Sequence, residues 1–316
     1  MDLQTIRLAR ERLAPYLSPS PLIPITALGN NLQQSLHLKL ETQQPTGSFK
    51  VRPALNGMLA NLGEARARGV LASSSGNFAQ AVAHSANLLG CHARIVMTSN
   101  TAPLKIERTR ALGAEVTLCE PTFKDRWDTT YRLQKETGRV LLHPYDSPET
   151  IAGNGTIGLE LDEQLPPGKL RVYVPVSGGG LLAGIAAAIK NLRPDAIVLG
   201  VQPSVNASMK RSLDSGTPVR VPAFQSIADA LVALEPGATA FSIVKRYVDD
   251  ILLVSEDEIR EATKHLLFEQ KLLVEPAGAV PFAAGLKAAR SRPEAAICIL
   301  SGANISAEVL SATITR

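Results

Sequence analysis

Residues 70–98, from Val70 to Thr98, read VLASSSGNFAQAVAHSANLLGCHARIVMT, and their patterning decides the fold. Val70–Ser74 reads as a strand. Asn77–Leu89 carries apolar residues at helical spacing and is closed by Gly90, which makes it a helix with a glycine cap. Ala93–Thr98 is again a strand. Working outward, a helix at Pro103–Leu112 is stopped by Gly113, and a strand follows at Glu115–Cys119. A helix around Lys124–Glu136 ends at Gly138, before a strand at Val140–His143. Strands alternating with helices imply a parallel sheet with helices on its faces.

The pattern resumes after Leu159, with a strand at Leu170–Val176, a helix at Leu181–Leu192 ended by Pro194, and a strand at Ala196–Gln202. Helices near Glu256–Glu269 and Ala279–Ser291 lead to a last strand at Ala296–Leu300. The Gly- and Arg-rich segment Asn61–Gly69 is expected to hinge two lobes, as is the region Pro144–Pro148. The expected architecture is α/β: two lobes, each a mostly parallel sheet flanked by helices, with a ligand cleft between them. Residues 1–61 and 146–316 form the large lobe in this reading, and residues 62–145 the small one.

Composition sets the outer bounds. The 316 residues are 45% hydrophobic and 20% charged, the balance of an ordinary globular chain with a sizeable core. A net charge of +4 is modest, and the basic runs Glu64–Arg68 and Lys105–Arg110 are interleaved with acids, so they read as solvated helix faces. Neither nucleic acid nor a membrane is an expected partner. Cys91, Cys119 and Cys298 form no C-x-x-C pair and are expected to be three buried free thiols. With no basic-then-apolar leader and no apolar run long enough to span a bilayer, a cytoplasmic setting is expected.

Three stretches point to chemistry. Pro45-Thr46-Gly47-Ser48-Phe49-Lys50 precedes Val51-Arg52-Pro53, where the proline suits the first turn of a helix. Lys50 would then sit just before a helix N-terminus, whose partial positive charge disfavours an ammonium. A lysine pushed toward neutrality can attack a carbonyl and form an imine, although a surface lysine is the ordinary alternative. Ser73-Ser74-Ser75-Gly76-Asn77-Phe78 opens a helix at a strand end, where free N–H groups suit a carboxylate; a plain Ser-rich turn competes with that reading. Ser177-Gly178-Gly179-Gly180-Leu181 lies between a strand and an Ala-rich helix. Its missing Cβ atoms would let a phosphate approach the helix N-terminus, or would merely permit a tight turn before a closely packed helix.

The rival dinucleotide outline Gly178-x-Gly180-x-x-Ala183 needs an acid near the end of the next strand, and Gln202 stands there instead. The histidines, among them His84, His92, His143 and His265, show no metal-binding spacing, and no Gly-x-Ser-x-Gly elbow supports a serine hydrolase.

Taken in order, these motifs resemble the serine/threonine dehydratase and serine racemase family of fold-type II pyridoxal-phosphate (PLP) enzymes. Ala152-Gly153-Asn154-Gly155-Thr156, Glu275-Pro276-Ala277-Gly278 and Ser301-Gly302-Ala303-Asn304 complete the match. The resemblance implies that Lys50 carries the cofactor as a Schiff base, with Phe49 near the ring and Asn77 on the phenolic oxygen. Gly178, Gly179, Gly180 and Leu181 would cradle the phosphate, Ser301 would face the pyridine nitrogen, and Glu275 would also belong to the cofactor site. Ser74, Asn77 and Phe78 would hold the substrate carboxylate, and Ser75 occupies the opposite-face acid/base position of the racemases. The large lobe would bind the cofactor and the small lobe form the substrate side.

The implied activity is β-elimination of a small hydroxy-amino-acid substrate to a 2-keto acid and ammonia; a racemase or a β-replacement synthase is the alternative. A homo-oligomer, a dimer, is implied as well. Phe78 stands where the family usually has His, Pro53 where it has Gly, Asn154 where it has Gln and Ala230 where it has Gly, which puts the substrate's identity in question. No metal is expected, because Gln202-Pro203 and the following Ser204–Ser208 supply none of the carboxylates a hard cation wants.

Overall fold

The alternation read from residue 70 onward becomes two separate sheets. The computed structural model describes residues 1–25, 36–289 and 295–315. Its first half contains α1 (Leu3–Leu13), β1 (Leu22–Pro24), β2 (Leu36–Leu40), α2 (Val51–Ala60), α3 (Leu62–Arg68), β3 (Val70–Ser73), α4 (Asn77–Leu89), β4 (Ala93–Thr98), α5 (Pro103–Ala111), β5 (Glu115–Cys119), α6 (Phe123–Thr137) and β6 (Val140–Leu142). The second half adds α7 (Pro148–Gln164), β7 (Leu170–Pro175), α8 (Gly180–Leu192), β8 (Ile197–Pro203), α9 (Ser208–Ser215), α10 (Ala238–Tyr247), β9 (Asp250–Val254), α11 (Glu256–Phe268), α12 (Pro276–Ala289), β10 (Ala295–Leu300) and α13 (Ala307–Ile314).

The larger sheet has the order β1-β2-β10-β7-β8-β9, and the smaller β5-β4-β3-β6. Among the described residues only β1 pairs antiparallel, and every other ladder is parallel. Every residue of β7 is buried, as expected for a parallel strand covered on both faces. The last strand, β10, lies between β2 and β7, so residues near both ends of the chain complete the larger sheet. All four strands of the smaller sheet fall within residues 70–142.

Helix α2 connects the two sheets. It packs on α7 on one side and on α4 and β6 on the other, and its first eight residues are buried. Burying Arg52 in such a helix requires paired charges, and these are present. Arg52 Nε donates to Glu41 Oε2 at 2.8 Å, and Nη1 donates to Glu160 Oε1 at 2.6 Å. Lys39 Nζ donates to Glu160 Oε2 at 2.6 Å, which gives two cations and two anions in one cluster. Burial alone would pull the Arg52 pKa down; Glu41 and Glu160 outweigh it and hold the guanidinium firmly charged.

Residues 62–68, within the stretch expected to hinge the lobes, form helix α3 directly after α2. Three other expectations are corrected. The stretch before Leu159 is not a break in the pattern: α7 runs through Gly153, Gly155 and Gly158, because packing against α2 and α8 outweighs their low helix propensity. Of the three free thiols only Cys298 is buried; Cys91 and Cys119 are half-buried. Helix α12 begins three residues earlier than expected, at Pro276, and the end expected for it at residues 290–291 lies outside the described residues. Among the described residues no helix is long and apolar enough to cross a membrane.

Candidate active site

Lys50 is the N-cap residue of α2, as Pro53 in the first turn suggested. Its ammonium lies 4.9 Å from the centroid of the Phe49 ring and 5.6 Å from that of Phe78. Its hydrogen bond is to the Pro144 carbonyl, at 2.8 Å. Burial pulls the amine down to about 8, with the charge of Glu275 acting against it. The group is therefore partly unprotonated at neutral pH, which an imine-forming lysine requires.

The carboxyl ends of β3 and β10 supply the next groups. Asn77, the first residue of α4, donates from Nδ2 to Glu275 Oε1 at 2.9 Å, and its Oδ1 accepts from Asn304 Nδ2 at 2.9 Å. Burial lifts the Glu275 carboxyl to about 7, opposed by the hydrogen bond from Asn77. The Ser301 carbonyl accepts the Phe49 N–H at 3.0 Å, which fastens the end of β10 to the residue before Lys50. Ser301 itself is buried, and its hydroxyl takes no protein partner among the described residues.

The turn before α4 is only partly open. The Ser74 N–H is committed to the Val96 carbonyl, and the Ser74 hydroxyl accepts the Gly76 N–H at 3.3 Å. The N–H groups of Ser75, Asn77 and Phe78 find no acceptor among the described residues, so they are the groups free to receive a carboxylate. The Ser75 hydroxyl accepts from Thr101 Oγ1 at 2.9 Å, and Thr101 meets Thr98 at 3.1 Å. Neither threonine carried a signal in the sequence. Phe78, 2% exposed, is a core residue of the smaller lobe whose ring faces Lys50.

The triple glycine combines both sequence readings. A Cβ on Gly178 would lie 2.3 Å from the Tyr145 ring, and one on Gly180 would lie 2.2 Å from the Tyr145 carbonyl oxygen. The missing side chains thus make room for Tyr145, the residue after the Pro144 that receives Lys50. The N–H groups of Gly178, Gly179, Gly180 and Leu181 still find no acceptor among the described residues, at the start of the 13-residue helix α8. Four open donors beside a helix dipole suit an anion such as a phosphate. His143 Nδ1 accepts the N–H of Asp146 at 2.8 Å and so steadies the loop that carries Tyr145. Burial pulls His143 down to about 4, which leaves it a neutral acceptor.

Gln202 has another role. Its Oε1 accepts the N–H groups of Met209 and Lys210, both at 3.1 Å, and so closes the N-terminus of α9. That oxygen is already engaged by two donors and has little to offer a cation. Among the described residues no cluster of three His, Cys, Asp or Glu is disposed around a common point.

This geometry fits pyridoxal phosphate: a desolvated amine, an anion cradle at a helix N-terminus, and an unpartnered hydroxyl at the end of a central strand. Comparisons with known proteins agree. The L-threonine ammonia-lyase of Geobacter sulfurreducens is 40% identical over 98% of this chain and 77% of its own length. The T.th. threonine deaminase superposes with a TM-score of 0.90 at 42% identity, covering 97% of this chain and 99% of that one. Maize serine racemase superposes at 0.92 with 34% identity, over 99% and 97% of the two chains. The family model described as "Pyridoxal-phosphate dependent enzyme" matches residues 13–302, and with the lysine, the cradle and the strand-end hydroxyl in place the chain belongs to that family.

Proposed function

We propose that this protein is a PLP-dependent dehydratase, an ammonia-lyase that converts a β-hydroxy-α-amino acid of the serine/threonine kind into a 2-keto acid and ammonia. The observation that carries this reading is Lys50, an amine brought to about 8 at the head of a buried helix. Bound there, pyridoxal phosphate supplies an electron sink that acidifies the substrate's α-proton.

The chain's own groups account for the rest. The open N–H groups of Gly178–Leu181 hold the phosphate, Asn77 addresses the phenolic oxygen, Phe49 flanks the ring and Ser301 faces the pyridine nitrogen. With the cofactor bound, the Lys50 amine would be the general base that takes the substrate's α-proton. The substrate carboxylate sits on the N–H groups of Ser75, Asn77 and Phe78. The α-proton and the β-hydroxyl together would leave as water, and hydrolysis of the released enamine would give the keto acid and ammonia, so no water is consumed overall. A hydroxyl at Ser301 leaves the ring nitrogen largely neutral and the sink weak. A weak sink would favour loss of the β-hydroxyl over return of a proton to the α-carbon.

In this reading residues 1–61 and 146–316 form the cofactor lobe, and residues 62–145, with the smaller sheet, the substrate side. Phe78 beside Lys50 makes that side less polar than a histidine would, so β-hydroxy amino acids larger than serine are suitable substrates. A cytoplasmic homodimer completes the proposal. The Ser75 hydroxyl, held by Thr101, keeps the racemase as a second reading, because it is a proton-carrying group on the substrate side. Incubating single enantiomers of a β-hydroxy amino acid panel, and following keto acid and mirror-image amino acid together, decides the matter. Keto acid should accumulate faster; faster appearance of the opposite enantiomer across the panel would replace the dehydratase with a racemase.

A further inference from the structure

We propose that Asn304 is a positioning residue that fixes the direction in which Asn77 presents its amide to the cofactor's phenolic oxygen. The proposal rests on the placement of Asn77 given above. An asparagine amide can sit either way round, and its neighbours decide which. Here the decision starts at a backbone carbonyl. Asn304 Nδ2 lies 2.8 Å from the Thr46 oxygen, which can only accept. The same nitrogen, with its second hydrogen, donates to Asn77 at 2.9 Å, so the facing atom of Asn77 is its oxygen. Asn77 Nδ2 is thereby turned toward Glu275 Oε1 at 2.9 Å, and one of its two hydrogens remains for an acceptor in the cleft.

Glu275 alone could not set this order. Its carboxyl, lifted to about 7 by burial, is present in both forms near neutrality and can either accept from Asn77 or donate to it. Asn304 removes that freedom: a reversed Asn77 would put one NH₂ against another. The arrangement is also given room. A Cβ on Gly302 would lie 2.6 Å from Glu275 Oε1 and 3.2 Å from Asn77 Nδ2. Gly47 adopts φ +67°, and a Cβ there would lie 2.9 Å from Asn304 Oδ1. Two glycines therefore flank the chain of bonds, one on the segment leading to Lys50 and one on the segment after β10.

The test uses Asn304→Ala, Asn304→Asp and Asn77→Ala, each prepared without cofactor and titrated with pyridoxal phosphate. A donor on the phenolic oxygen favours its ionised form, so losing the aimed N–H should raise the pH midpoint of the bound chromophore by roughly one unit. It should also weaken cofactor binding by roughly tenfold. Asn304→Asp keeps the size of the side chain but cannot donate to Thr46, so it should behave like Asn304→Ala while far-ultraviolet circular dichroism shows the fold intact. In an Asn77→Ala background, Asn304→Ala should leave the midpoint where it is, since the effect runs through Asn77. An unshifted midpoint in both Asn304 variants, with Asn77→Ala shifted, overturns the positioning role. An unshifted midpoint in Asn77→Ala overturns the placement of Asn77 itself, and the inference with it. A further shift from Asn304→Ala in the Asn77→Ala background would mean that Asn304 acts by another route and would equally overturn it.

Discussion

Replacing Glu275 by Gln in the cofactor-free protein should stabilise it, and more so at alkaline than at acidic pH. Glu275 is 5% exposed, and burial lifts its carboxyl from 4.5 to about 7. A folded-state value above the unfolded one means that the native protein favours the protonated form. The cost of ionisation therefore begins as pH rises past 4.5, grows through the interval up to about 7, and is constant above it. At about 1.4 kcal/mol per pH unit, that interval corresponds to roughly 3 kcal/mol. Gln keeps an oxygen that accepts from Asn77 Nδ2 and carries no charge. Urea unfolding of both proteins at pH 8 and pH 5, followed by circular dichroism, should show the variant ahead by about 2–3 kcal/mol at the higher pH and by about 1 kcal/mol or less at the lower. An equal advantage at both values, or a less stable variant at pH 8, would refute the reasoning. It would mean that the carboxylate is paired well enough to repay its burial.

Other outcomes follow from the same geometry. Capture of pyridoxal phosphate by the cofactor-free protein should speed up with pH through about 8 and then level off, because Lys50 is reacting as the free amine. Continued acceleration toward the range of an exposed lysine would show the amine to be solvated, and Lys50→Ala should yield a colourless protein with no borohydride-trapped adduct. Arg52→Ala strands Glu41 in the interior and should cost about 3–5 kcal/mol in unfolding measurements. A loss under 1 kcal/mol would mean that the cluster is not coupled. Gly180→Ala drives a Cβ to 2.2 Å from the Tyr145 carbonyl, so equilibrium dialysis should find cofactor binding weakened at least tenfold with the secondary structure retained.

The sequence was most legible where local pattern and fold coincide. The strands and helices from β3 to β6 were readable because each apolar run is short and each helix ends at a glycine, Gly90, Gly113 or Gly138; Gly90 and Gly138 serve as left-handed C-caps. β2 was missed because Lys39 interrupts its apolar run. The charge is tolerated because Glu160, 121 residues away in sequence, meets it, together with the Ser20 carbonyl and Gln164. α7 was missed because its three glycines look like a loop, and only its burial against α2 and α8 makes them helical.

The α/β class and the pyridoxal-phosphate cofactor were readable in the chain's ordered motifs, and Lys50 stood out there as the residue proposed to carry it. Those follow from residue identity and spacing along the chain. Tertiary structure alone decided what holds these groups in place. Tyr145 fills the space left by Gly178 and Gly180, Pro144 receives Lys50, and Asn304 orders Asn77 from 227 residues away. Such partners are chosen by three-dimensional packing and by the requirement that buried polar groups be hydrogen-bonded. Neither constraint is written into any local stretch of residues.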